Sequence, residues 1–152
     1  MARRISKDLF TFLSPFPDNI KPTALFLRDF VLDLFPESYE LIFDDGGALV
    51  VAFAVSENEG HAFCSIAVYS KYVNFGLTRG SEIPDPEARF AGSGELYRDL
   101  TVPSRKEFPS DYVKRLVRQA HWNALNALPQ KKQVNRGFAI TKATSEQKRR
   151  TT

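Results

Sequence analysis

The sequence predicts an α+β domain: a mainly antiparallel sheet of about five strands flanked by two principal helices. Three observations predict it. One segment before the central region and one after it repeat their apolar residues at the helical period. The region between them falls into five strand-like runs, some alternating with period two, which sends successive side chains to opposite faces, and two apolar on both faces as central strands are. Most of those runs are joined by polar turns, and turns that short favour antiparallel neighbours over parallel ones. At 152 residues and 43% apolar composition the chain can build one core but not two full domains.

Residues 1–20 read as an N-terminal arm or short helix. Ile5 to Leu13 can make two helical turns before Ser14-Pro15-Phe16-Pro17 stops them, because proline cannot donate a backbone hydrogen bond. Residues 21–128 read as the single domain. It opens with a clearer helix, in which Pro22 suits the first turn and Leu27, Phe30, Val31, Leu34 and Phe35 form one stripe up to Pro36. This stripe should be buried against the sheet.

From Tyr39 the period becomes two. Tyr39, Leu41 and Phe43 alternate with Glu40, Ile42 and Asp44, Asp45-Gly46-Gly47 is a turn signal, and Leu49 to Val55 is apolar on both faces. After the polar connector Ser56 to Gly60, Ala62 to Tyr69 makes a third strand. Tyr72 to Thr78 makes a fourth, with Val73, Phe75 and Leu77 on one face. Glu95 to Val102 makes a fifth, whose apolar face holds Leu96, Leu100 and Val102, and Arg98 with them. A loop from Arg79 to Gly94 separates the last two, and long ordered loops are uncommon without a role.

Pro109-Ser110-Asp111 opens the second principal helix, with Val113, Leu116, Val117, Ala120, Ala124 and Leu128 on one side before Pro129. Residues 129–152 are polar, with Val134, Phe138 and Ile140 scattered among them. Such a segment buries too little to offset its ordering entropy, so it is expected to be a mobile tail or to dock only through Phe138 and Ile140.

The net charge of +3 is unevenly placed. Residues 129–152 hold seven Lys or Arg against one Glu, a net of +6, whereas residues 21–128 hold eleven basic against fifteen acidic groups, a net of −4. The domain itself is therefore acidic, which argues against a nucleic-acid-binding face on it and leaves only the tail for contact with polyanions. No run approaches the ~18 apolar residues of a membrane span. Lys7 and Asp8 stand where a signal peptide needs an apolar core, so a cytoplasmic location is expected. The single Cys64 excludes an internal disulfide.

The chemistry-bearing residues are sparse. His61, Cys64 and His121 do not have zinc-ligand spacing, and Cys64 between apolar strand neighbours reads as a small hydrophobe. Asp44, Asp45, Glu57 and Glu59 read as solvated turn charges before they read as a hard-metal site. No nucleophile elbow, phosphate-binding loop or dinucleotide fingerprint is present. What stands out is Arg98 on an apolar face, since a guanidinium keeps its proton and must find a carboxylate, carbonyls or a bound anion. Gly92-Ser93-Gly94 can expose backbone N–H groups to an anion, and with Arg79, Arg89 and Arg98 it can form an acceptor pocket. Asp85 is expected to pair with Arg79. The ligand-binding candidates are thus Asn74, Arg79, Gly92, Gly94 and Arg98; no metal ligands or catalytic residues are assigned, and no cofactor is indicated.

Tyr69-Ser70-Lys71-Tyr72-Val73-Asn74-Phe75-Gly76-Leu77, then Arg79-Gly80, Asp85-Pro86, Gly92-Ser93-Gly94 and Arg98, resemble the bacterial domain-of-unknown-function family numbered 1801, which includes the YdhG-like, frataxin-like proteins. The likeness covers about Ala24 to Ala120. It implies a small α+β domain with an antiparallel sheet flanked by helices, and some relatives are regarded as iron chaperones that use surface carboxylates. This chain is closer to the branch with the Asn-Phe-Gly and Gly-x-Gly elements, and departs from it at Glu95 and Asp99, which make the loop more acidic.

The reading that follows is a small cytoplasmic binding domain for a small anionic ligand or a protein partner, without enzymatic activity. The alternatives are an iron-binding, iron-chaperone protein of frataxin-like type, and a hydrolase or transferase with an unrecognised site.

Overall fold

The computed structural model describes residues 3–92 and 94–143. Its helices follow the stop signals of the sequence. Helix α1 spans Lys7–Leu13, capped by Ser6, whose Oγ accepts a 3.1 Å hydrogen bond from the Leu9 N–H. Helix α2 spans Lys21–Leu34, with Pro22 in its first turn, and α3 spans Ser110–Ala127. The six strands are β1 (Tyr39–Asp44), β2 (Leu49–Ala54), β3 (Ala62–Val68), β4 (Val73–Leu77), β5 (Arg98–Val102) and β6 (Ala139–Ala143). They form one sheet in the order β5-β4-β3-β2-β1-β6, antiparallel except for the β1–β6 pair.

The α+β class and the mainly antiparallel sheet are as the alternation predicts. Among the described residues no helix is long and apolar enough to cross a membrane. The register sorts the side chains into two layers. Leu49, Val51 and Phe53 of β2 stand beside Ile66 and Val68 of β3 and Phe75 of β4 on the face covered by the helices, with Leu27 and Val31 of α2 and Val113 and Val117 of α3 above them. Tyr39, Leu41, Ala52 and Ala54 form a second, smaller cluster on the other face, with Phe43 and Ile140 packed on it. The more apolar side of β1 thus faces away from the helices.

Toward the helices β1 presents Glu40 instead, which is fully buried. Arg28 of α2, 2% exposed, answers it through Nε to Oε2 at 2.5 Å and Nη2 to Oε1 at 3.1 Å. The same guanidinium donates to the Arg3 and Arg4 carbonyls at 3.1 and 3.2 Å, so the N-terminal arm closes over the pair. Arg3 in turn reaches the Pro36 and Ser38 carbonyls at 3.0 and 2.5 Å.

The sheet has six strands rather than five, and the difference lies in the segment expected to be a mobile tail. Residues 139–143 pair with the edge of β1. Before them, Gln133 Nε2 and the Gly137 N–H both donate to the Glu37 carbonyl, at 2.5 and 2.8 Å, and the Glu40 N–H donates to the Phe138 carbonyl at 3.1 Å. A Cβ on residue 137 would stand 2.5 to 2.6 Å from the Ser38 carbonyl group, so only glycine fits there. Phe138 lies tilted on Tyr39, their ring centroids 5.5 Å apart. The tail docks because β1 offers an unpaired edge, a backbone gain that side-chain hydropathy does not register. Residues 144–152, the rest of the expected tail, lie outside the described residues.

Candidate functional site

Strand β4 ends at Leu77, and the chain turns into a single 3₁₀ turn, Gly80–Glu82, before the long connection to β5. This turn is tied to the returning segment: the Ser81 N–H donates to the Leu96 carbonyl and Ser81 Oγ to the Glu95 carbonyl, both at 2.9 Å. Gly80 lies directly under Arg98. A Cβ at residue 80 would come 2.6 Å from the Arg98 Cβ, so the close crossing of turn and strand requires glycine.

The middle of the connection is anchored to α3. Asp85 accepts from the Arg89 N–H at 3.1 Å, from the Phe90 N–H at 2.9 Å and from the Tyr112 hydroxyl, which itself accepts from the Glu87 N–H at 3.1 Å. Burial pushes the Asp85 carboxyl up, but these three donors together outweigh it and hold the group below the usual carboxylate range. The expected Asp85–Arg79 pair does not form. Asp85 is occupied by the turn it stabilises and by Tyr112, and Arg79 has a nearer acid.

The three arginines of the unit differ in how their charge is met. Arg79 grips Glu82 with two hydrogen bonds of 2.8 and 2.7 Å. Arg89 donates to Glu87 at 2.7 Å and lies over the Tyr112 ring. Arg98 has the position that strand alternation predicts, opposite Leu77 on the helix-covered face with Leu100 and Val102. Its Nη1 donates to the Gly94 and Tyr97 carbonyls at 2.6 and 2.7 Å. Among the described residues no carboxylate stands within ion-pair distance of it, so it alone of the three keeps an uncompensated positive charge.

Gly92 and Gly94 serve Arg98 in a way other than expected. Gly92 has φ +155° and packs against the strand entry, where a Cβ would meet the Tyr97 carbonyl oxygen at 2.8 Å. Gly94 turns its carbonyl toward the guanidinium. Ser93, the centre of the expected anion cradle, lies outside the described residues. Strand β5 begins at Arg98 rather than Glu95: the Gly94 and Tyr97 carbonyls turn to the arginine and those of Glu95 and Leu96 to Ser81.

Asn74 is not brought to this cluster. It stands on the opposite face of the sheet, where its Nδ2 donates to Asp99 at 3.1 Å and its Oδ1 accepts from Thr101 at 3.0 Å. Gly76 is on that face too, beneath the Tyr97 ring, whose hydroxyl would collide with any Cβ there.

Two cavities open on either side of the Gly80–Glu82 turn and share Ile83. The smaller, of about 210 Å³, has Leu77, Ile83, Phe90 and Leu116 as its apolar lining and Ser81, Asp85 and Arg98 as its polar groups. The larger, of about 350 Å³, lies between the start of β3 and the second half of α3. Sequence reasoning missed the larger one. Its wall is Ala120, Ala124 and Ala127, and alanines at helical spacing read as ordinary core.

Metal and nucleophile candidates are not assembled. Among the described residues no group of three or more His, Cys, Asp or Glu side chains could hold a metal ion. Cys64 is fully buried and burial pushes its thiol well up, as for an inert small hydrophobe. His61 hydrogen-bonds Ser56 Oγ through Nδ1 at 2.7 Å, and Ser56 also accepts from the Asn58 N–H at 3.0 Å, which holds the ring within a turn. No family model, no curated protein and no solved structure matches this chain.

Proposed function

We propose that this protein is a small binding domain that takes a small anionic ligand at Arg98. The observation that carries the reading is the contrast among the three arginines: Arg79 and Arg89 are neutralised by Glu82 and Glu87, whereas Arg98 is held, among the described residues, only by carbonyl oxygens. Carbonyls orient a guanidinium without cancelling its charge, which leaves it competent for a carboxylate or phosphate. Beside it the 210 Å³ cavity offers an apolar floor for the ligand's uncharged part and the Ser81 hydroxyl for orientation, while Asp85, which also lines it, is taken up by the Tyr112 hydroxyl and the Arg89 and Phe90 N–H groups.

Calorimetric titration of the purified protein with inorganic phosphate and with short-chain carboxylates tests the reading. Binding should weaken at least about tenfold in Arg98→Met, the loss of one charge-assisted hydrogen bond at 1.4 kcal/mol per decade. Arg98→Lys, which keeps the charge but not the planar fork, should fall between. Equal affinities in all three proteins would overturn the proposal.

A further inference from the structure

The larger cavity is chemically different from the one beside Arg98. Its apolar part is Phe63, Ile83 and the alanine stripe of α3. At about 350 Å³ it falls in the roughly 300–1,000 Å³ range of small-molecule sites, and alanine at residues 120, 124 and 127 is what leaves the space unfilled. Its polar part contains both signs of charge, the Arg79–Glu82 pair, together with Thr78, His61 and Asn123.

These groups have hydrogen-bonding capacity left over. Asn123 uses its Oδ1 to accept from Gln119 Nε2 at 2.9 Å, and its Nδ2 remains a donor. His61 is fixed through Nδ1, so Nε2 is its remaining polar atom. The Arg79 and Glu82 side chains are 57% and 45% exposed, and ion pairs that open to water are cheaply rearranged. A ligand with one charge would satisfy one member of the pair and be repelled by the other. A ligand bearing a carboxylate and an ammonium on one carbon can meet both, the carboxylate on Arg79 and the ammonium on Glu82, with its side chain on the alanine wall.

We propose that this cavity is a second site, separate from the one at Arg98, for a free α-amino acid with an apolar side chain. The head group bridges Arg79 and Glu82, and Thr78, His61 and Asn123 complete its polar contacts. The side chain replaces water over Ala120, Ala124 and Phe63. No bond is made or broken: the site binds.

Calorimetry and amide NMR on the full chain, with L-leucine and L-phenylalanine as probes, test this. The comparators are the one-charge analogues 4-methylpentanoate and isopentylamine, and 3-phenylpropanoate and phenethylamine. The amino acids should bind at least about tenfold more tightly than either analogue, since a hydrogen bond to a charged group is worth that factor. Their resonance shifts should centre on Thr78 and Ala124. Ala124→Phe, which fills the cavity, should abolish binding. Glu82→Gln, a surface change that spares the core, should erase the preference for the amino acid over its carboxylate analogue. No shift at Thr78 and Ala124 with either amino acid, equal affinity there for a one-charge analogue, or unaltered binding in Glu82→Gln would each overturn the site. The two proposals fail separately, because phosphate reports on Arg98 and the amino acids report on the opposite side of the turn.

Discussion

Replacing Glu40 by Leu should be among the most destabilising single changes in the protein. Glu40 is completely buried and Arg28 nearly so, and the carboxylate is the only acid facing the Arg28 guanidinium from β1. Arg3 Nη1 also stands 4.0 Å from Glu40 Oε1, so the variant would leave two guanidinium groups close together with only the solvent-exposed Asp29, 3.7 Å from Arg28 Nη1, beside them. Breaking a buried pair by removing one partner costs about 3–5 kcal/mol. For a domain of this size each kcal/mol moves the melting temperature by about 2–4 °C, so a fall of roughly 6–20 °C is expected. Removing both charges is a different experiment. Arg28→Met combined with Glu40→Leu eliminates the desolvation cost along with the attraction, and such double replacements are often neutral or stabilising. Urea denaturation of the parent, both single variants and the double variant closes the cycle. A single Glu40→Leu loss below about 1 kcal/mol, the scale of an exposed pair, would refute the reasoning, as would a double variant whose loss is the plain sum of the singles.

Gly137→Ala should cost about 1–3 kcal/mol, because its methyl group would be driven into the Ser38 carbonyl group, and the β1–β6 amides should lose hydrogen-exchange protection first; unchanged protection would show that the tail does not need this close approach. His121 gives a pH dependence of fixed sign. Burial pushes its pKa below the usual imidazole range, with Glu37 at 4.0 Å pulling the other way, so the folded state prefers the neutral ring. Its contribution is therefore intact above the unfolded pKa and lost as pH falls below about 6.5 toward the folded value. His121→Phe should flatten the fall in urea stability over that range, and an identical slope in parent and variant would contradict it.

The sheet core was legible because its information is local. Val73, Phe75 and Leu77, and then Leu100 and Val102, alternate within single strands, and the register pairs them as their period requires. The face of Arg98 could be read in the same way. Its partners could not, since the Gly94 and Tyr97 carbonyls are brought round by the path of the loop rather than by residue type. The same holds for Asp85, whose hydroxyl donor Tyr112 is 27 residues away on another element. Strand β6 escaped notice because its stability comes from backbone pairing to an open edge and from the close approach of Gly137. Arg28 lies beside the apolar stripe of α2 and Glu40 in the polar phase of β1, and neither pattern alone shows that the two meet. The larger cavity is a volume left empty by alanines, which a pattern of apolar positions records only as core.

The central claim is that Arg98 is the arginine of this unit still available to a simple anion, one without a cationic group to answer Glu82. Following the Nε–Hε resonances of Arg79, Arg89 and Arg98 while inorganic phosphate is titrated into the protein tests it most directly. The Arg98 resonance should shift in a saturable manner while those of Arg79 and Arg89, already held by Glu82 and Glu87, stay nearly fixed. A still Arg98 resonance, or equal movement of all three, would contradict the account.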